Sequence, residues 1–156
     1  MNIRRAMACD LEKINELLYE VGEIHASRRP DVFKKNAKKY TDDELLAIIG
    51  NDATPIFVAT DAKNTVVGYA FCIYNEVKDS VLLQDMKSLY IDDLCVKEGL
   101  RGGGIGRALF EHVLKTAKEN GCYNLTLNVW KLNEGALRFY EKCGMSPLKT
   151  VMEKII

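Results

Sequence analysis

Leu94 to Gly121 reads LCVKEGLRGGGIGRALFEHVLKTAKENG and sets Gly102, Gly103, Gly104 and Gly106 directly before a run with helical apolar spacing. Each glycine in a regular element costs ~0.5–1 kcal/mol against alanine, so a cluster implies a local gain. A helix start offers that gain: unpaired N–H groups and the positive end of the helix dipole can take an anion at close range where no Cβ intervenes. Just upstream, Asp92 and Asp93 stand side by side in a strand that is otherwise apolar, YIDDLCV. In a regular strand neighbouring side chains point to opposite faces, so at most one of them serves a given cleft as proton acceptor. A salt bridge or a loop cap would also account for them. His25, in EIHASRRPD, titrates near neutrality, and either a structural or a proton-transfer role suits it.

The length of 156 residues predicts one domain over 1–156. With 22 basic and 22 acidic side chains no global field points to nucleic acid or membrane as a partner. The local exception is SRRPDVFKKNAKKY, where Arg28, Arg29, Lys34, Lys35, Lys38 and Lys39 are opposed only by Asp31. It reads as a solvated lid face, or as a surface tolerant of an anionic group on a substrate. Five cysteines without a CxxC pair and only two histidines predict reduced thiols, no structural metal and a cytoplasmic setting. The opening MNIRRAMACDLEKI lacks the apolar stretch of a signal peptide, and no apolar run approaches the ~20 residues of a membrane span.

The elements that must position these groups follow from periodicity. A short strand around Asn2 to Met7 precedes a helix capped by Asp10 and carrying Leu11, Ile14, Leu17, Leu18 and Val21, with Gly22 as its stop. Thr41 and Glu44 form a capping box before Leu45, Leu46 and Ile49, and Gly50 closes that helix. PIFVAT, TVVGYAFCIY and SLYIDDLCV predict three antiparallel strands, the first two joined by a turn at DAKN. Ile105, Ala108, Leu109, Val113, Leu114 and Ala117 mark one helix face up to Gly121, and YNLTLNVW predicts a strand parallel to that around Leu94. A last helix spans Asn133 to Gly144, and the tail MSPLKTVMEKII offers one or two short strands. The order indicates an α+β or mixed sheet.

Two nucleotide loops fail on their letters. Walker A needs Lys and then Ser or Thr after G-x-x-x-x-G, but Ile105 and Gly106 follow Gly104. The dinucleotide pattern begun at Gly102 reaches Arg107, and begun at Gly104 it reaches Leu109. R-x-x-G-x-G does fit, with Arg101, Gly104 and Gly106, and NEGALRFYEKCGM follows further on. On these residues the chain resembles the GNAT (general amine N-acetyltransferase) superfamily, most specifically from Leu89 to Met145. The resemblance implies an α+β fold with a mixed central sheet of roughly six to seven strands and about four flanking helices.

It also implies acetyl-CoA as cofactor and direct acetyl transfer to a primary amine of a small molecule or peptide, through a tetrahedral oxyanion. A homodimer is frequent among similar proteins. By the resemblance, backbone of Leu94, Cys95 and Val96 holds the pantetheine arm, with the Leu94 N–H on the thioester carbonyl. Arg101, Gly102, Gly103, Gly104, Ile105, Gly106 and Arg107 surround the pyrophosphate. Asn133 and Ala136 reach the cofactor from the last helix, where Asn133 is equally a good N-cap. Tyr140 lies beside the sulfur as general acid, although it also shares an apolar helix face with Ala136, Leu137 and Cys143. The glutamate that many relatives carry on a splayed strand has Asn128 in its place, which cannot act as a base. Asp92, Asp93 and His25 remain as candidates, and His25 and Asp31 fall in the connection expected to border the acceptor. A non-catalytic acyl-CoA-binding module is the alternative.

Overall fold

In the computed structural model, which describes residues 1–156, the chain runs β1 (Asn2–Arg5), α1 (Leu11–Arg28), α2 (Asp42–Ile49), β2 (Ile56–Thr60), β3 (Val66–Val77), β4 (Met86–Val96), α3 (Ile105–Glu119), β5 (Asn124–Leu127) and α4 (Glu134–Lys142). The sheet keeps chain order, β1-β2-β3-β4-β5. The first four strands are antiparallel to their neighbours, and β5 is parallel to β4. Helix α3 makes the crossover that a parallel pair requires.

Each face of the sheet carries a core. On one, Leu109, Phe110, Val113 and Ala117 of α3 pack on Phe57, Ala70, Cys72, Leu89 and Ile91, with Phe139 and Tyr140 of α4 at the rim. On the other, Ile14, Leu17 and Leu18 of α1 and Leu45 of α2 close on Val58, Tyr69, Phe71 and Cys95. Strand β2 is buried at every position, which is why PIFVAT shows no polar alternation. The capping box forms as expected: Glu44 N–H donates to Thr41 Oγ1 at 3.2 Å, and Thr41 N–H donates to the Glu44 carboxylate at 2.8 Å.

Three expectations are corrected. The sheet has five strands, because the tail from Met145 to Ile156 forms none and leaves Leu148, Val151, Met152, Ile155 and Ile156 exposed. Its β-branched residues favour an extended chain, but a strand also needs a paired edge, which composition cannot supply. Gly22 does not stop α1, which continues to Arg28. A Cβ at Gly22 would lie 2.3 Å from the Ala37 carbonyl oxygen, so this glycine lets residues 29–41 cross close over the helix. Asp10 makes no side-chain cap to α1. Its carboxylate accepts instead from Met7 N–H at 2.8 Å and from both Arg4 Nη atoms at 2.7 and 2.9 Å.

Candidate active site

The site begins where the sheet parts. Strands β4 and β5 pair only from Ser88 with Asn124 to Ile91 with Leu127. The strand expected to reach Trp130 stops there, while β4 continues to Val96. Past Ile91, β4 keeps β3 on one side and has no strand on the other. Lys97 N–H donates to the Val67 carbonyl of β3 at 2.9 Å. N–H direction alternates along an antiparallel strand, so the N–H groups of Val96 and Leu94 turn toward the open side.

The opening runs on into the glycine loop. None of the backbone N–H groups from Gly102 to Arg107 has a backbone acceptor in the chain, and α3 has no side-chain cap. Gly102 and Gly104 both sit at φ +84° with nothing within 4 Å of a would-be Cβ, so they are needed for their dihedral rather than for room. Gly106 is the close approach, with a Cβ position 3.6 Å from both the Phe139 ring and the Val96 side chain. Arg101 Nε donates to the Val96 carbonyl at 2.9 Å and ties the loop to the end of β4. Arg107 pairs with Glu111 on an exposed surface, a contact of at most ~1 kcal/mol that leaves it free to turn to an anion. Asn133 caps α4 by accepting from Ala136 N–H at 3.3 Å. Ile105 packs at the edge of the α3 core.

Asp92 and Asp93 do not face opposite ways. In the β3–β4 register Phe71 opposes Asp93 and the next residue, Cys72, opposes Ile91, which leaves Asp92 as the extra residue of a β-bulge. The bulge switches the alternation: Ile91 belongs to the α3 core, Cys95 to the α1 core. Both carboxylates therefore meet groups of the α1 side. Asp92 accepts from Lys39 Nζ at 2.5 Å and from Tyr40 Oη at 2.8 Å, and Asp93 accepts from Tyr69 Oη at 2.7 Å. Phe71 joins the two tyrosines, stacked on Tyr40 at 5.7 Å and edge-on to Tyr69 at 4.9 Å. Burial pushes the Asp93 carboxyl above the usual carboxylate range, against the opposing pull of the Tyr69 hydroxyl and the Lys39 charge. Burial also raises the Tyr40 and Tyr69 phenols, and the neighbouring carboxylates raise them further.

Tyr140 packs its ring on Phe139 and Phe110, with centroids 5.0 and 6.2 Å away. Its hydroxyl has no hydrogen-bond partner, yet it is not among the buried orphan atoms, so it opens to solvent-accessible space. Burial raises its phenol, and the Asp93 charge adds to that rise. A phenol so held stays protonated and able to donate.

Residues 29–41 form a strap between α1 and α2. Phe33 lies between His25, stacked at 4.9 Å, and Trp130, edge-on at 5.6 Å. The Arg29 guanidinium stands 5.8 Å from the Trp130 ring centre. Burial and the charges of Arg28 and Lys39 lower the His25 imidazole below 6.5, so it is neutral at neutral pH. Asp31 is not drawn into the carboxylate cluster; it is held by Arg29 at 2.8 Å and stays exposed. Half of the basic run is paired, while Arg28, Lys34 and Lys35 stay exposed without a carboxylate. Arg29 bonds Asp31 and Glu153, Lys38 bonds Asp42 and Asn15, and Lys39 bonds Asp92. Asn128 Nδ2 donates to Tyr90 Oη at 3.1 Å. Lys39, Tyr40, Tyr69 and Trp130 are the site neighbours that sequence reasoning missed. Lys39 and Tyr40 directly precede the Thr41 cap, a weak signal, and Tyr69 needs the strand register to be found.

Known proteins are similar to this chain over most of its length. Thialysine N-epsilon-acetyltransferase of Bos taurus is 34% identical over 94% of this chain and 84% of its own. Streptothricin acetyltransferase of Streptomyces lavendulae is 34% identical over 62% of the chain, which spans 48% of that enzyme. A crystal structure of a mutant BH1408 protein from Bacillus halodurans superposes with a TM-score of 0.96 at 31% identity, covering 100% of this chain and 99% of that one. The model of the acetyltransferase (GNAT) family, whose members use acetyl-CoA as acetyl donor and acetylate amines, matches residues 18–145. That match takes in the parted strands, the glycine loop and Tyr140 alike, and the chain belongs to the acetyltransferase (GNAT) family.

Proposed function

We propose that this protein transfers the acetyl group of acetyl-CoA to a primary amine of a small molecule or peptide. The observation that carries the reading is the row of unpartnered N–H groups, from the open edge of β4 to the start of α3, facing a gap flanked by two carboxylates and a free phenol. This donor set fits the cofactor. The N–H groups from Gly102 to Arg107, with the Arg107 side chain, suit a pyrophosphate, and the N–H groups of Leu94 and Val96 suit the carbonyls of a pantetheine arm. When bound, acetyl-CoA supplies the activated acyl carbon and a thiol leaving group.

The chain's own groups divide the proton transfers. With acetyl-CoA bound, the Leu94 N–H would face the oxygen on which negative charge develops. Tyr140 would donate a proton to the departing sulfur. Asp92 takes the proton of the acceptor ammonium, a loss that for an amine of pKa about 10.4 costs ~4 kcal/mol near pH 7.4. Asp93, fixed by Tyr69, is a positioning residue whose field reaches Tyr140. An acceptor of the lysine type suits this arrangement, since Asp92 already holds a lysine ammonium, and the name of the bovine relative describes such an amine.

The test is incubation with acetyl-CoA and a panel of lysine-like amines, polyamines, aminoglycosides, amino acids and peptides, read by mass spectrometry. Mass detection avoids interference from the five thiols. An acetylated amine whose formation Tyr140→Phe abolishes is the expected result. Saturable acetyl-CoA binding with no acetylated amine would favour the acyl-CoA-binding module instead.

A further inference from the structure

The cation on Asp92 belongs to the protein itself. Lys39 Nζ and Tyr40 Oη share the Oδ2 atom of Asp92, at 2.5 and 2.8 Å. The Asp92 side chain is 15% exposed and that of Lys39 44%, so the pair lies at the mouth of the site. An acceptor ammonium that gives its proton to this carboxylate meets Lys39 and Tyr40 already on its Oδ2 atom, so it competes with Lys39 for the same charge.

We propose that Lys39 is an internal acceptor: with acetyl-CoA bound and no external amine present, the protein acetylates Lys39 Nζ, and the modification frees Asp92 for external substrates. This rests on the acetyl-transfer reading above. The neighbours of Lys39 hold it in place. Tyr40 is stacked on Phe71 and bonded to Asp92, and Thr41 is locked in the capping box of α2. A nucleophile tethered in this way acts at a high effective concentration. The other strap lysines are placed differently: Lys38 is bound by Asp42 and Asn15, and Lys34 and Lys35 have no bonded carboxylate.

The step balances. The Lys39 ammonium gives one proton to Asp92, which releases it to solvent. The nitrogen forms an amide bond to the acetyl carbon, the carbon–sulfur bond breaks, and the thiol leaves with the proton of Tyr140. The second proton lost by the nitrogen restores Tyr140. The product carries no charge and no longer pairs with Asp92.

The test uses the full chain with deuterated acetyl-CoA and no amine, followed by digestion and mass spectrometry, beside a second reaction containing the amine panel. Expected is a label on Lys39 ahead of Lys34 and Lys35, at a first-order rate independent of protein concentration and lost in Asp92→Asn. Equal labelling of all strap lysines would mean simple chemical acetylation and would overturn the proposal. An unlabelled Lys39 beside acetylated panel amines overturns it alone, whereas no acetylation of either overturns it together with the transfer reading.

Without acetyl-CoA, a limiting amine-reactive reagent should modify Lys39 more slowly than Lys34 and Lys35, with the difference gone in Asp92→Asn. Equal reactivity in the unaltered protein would refute the ion pair. Lys39→Gln, which mimics the acetylated state, should lower the acceptor KM roughly fivefold, because the competing occupant is removed. An unchanged KM would refute the competition.

Discussion

Asp93 is the residue at which stability and chemistry oppose each other. Its carboxyl is half-buried, and burial outweighs the Tyr69 bond in setting its protonation. A raised folded value means that, as pH climbs from 3.8 through that value, the folded chain holds its proton longer than the unfolded one, and stability falls. Asp93→Asn keeps an acceptor for Tyr69 and removes the buried charge. It should stabilise the protein by ~1 kcal/mol at neutral pH, read from the denaturant midpoint, while lowering kcat/KM about tenfold. Tyr140→Phe separates binding from chemistry differently. Its hydroxyl bonds to nothing in the fold, so melting temperature and acetyl-CoA affinity should hold while kcat falls ~10²–10⁴-fold. An unchanged kcat would remove Tyr140 as the acid.

Among the elements, α1 and the glycine loop show glycine used for two different reasons. Helix propensity alone says that Gly22→Ala inside α1 gains ~1 kcal/mol. The Ala37 carbonyl, 2.3 Å from the new Cβ, reverses that sign and pushes the strap away. Thermal denaturation should show a loss of stability, and the same displacement should separate Lys39 from Asp92 and raise the reactivity of its amine. Gly104→Ala meets no atom, but at φ +84° it costs about 1–2 kcal/mol in backbone strain. That variant should bind CoA more weakly in a calorimetric titration, because relaxation of the loop turns away the N–H groups at the start of α3.

At the scale of the whole molecule, the acid side of the stability profile follows from a few buried groups. Burial holds both His25 and His112 below 6.5 in the folded chain. The unfolded chain therefore takes up protons first as pH falls, so their contribution is complete above 6.5 and is lost as pH drops toward the folded values. Asp10, lowered by its Arg4 bonds, acts in the same direction below 3.8. A double variant, His25→Gln with His112→Gln, should flatten the slope of unfolding free energy between about pH 7 and about pH 5. A slope that persists would assign the acid sensitivity to other groups.

The sequence by itself determined the order of the main helices and strands, the capping box of Thr41 and Glu44, the parallel crossover around α3 and the glycine loop before it, because each depends on local dihedrals, caps and periodicity within one short segment. Arg101 and Tyr140 were proposed as site residues through a spaced motif. What only the tertiary structure decided was which groups meet. The bulge at Asp92 turned two supposedly opposed carboxylates to one side of the sheet. Crossing of α1 by the strap gave Gly22 a different purpose, and Lys39 passed from a solvated charge run to the Asp92 carboxylate. Register, bulges and long-range ion pairs arise from competition among distant segments for the same edge, face or charge, and no local stretch of residues records the outcome of that competition.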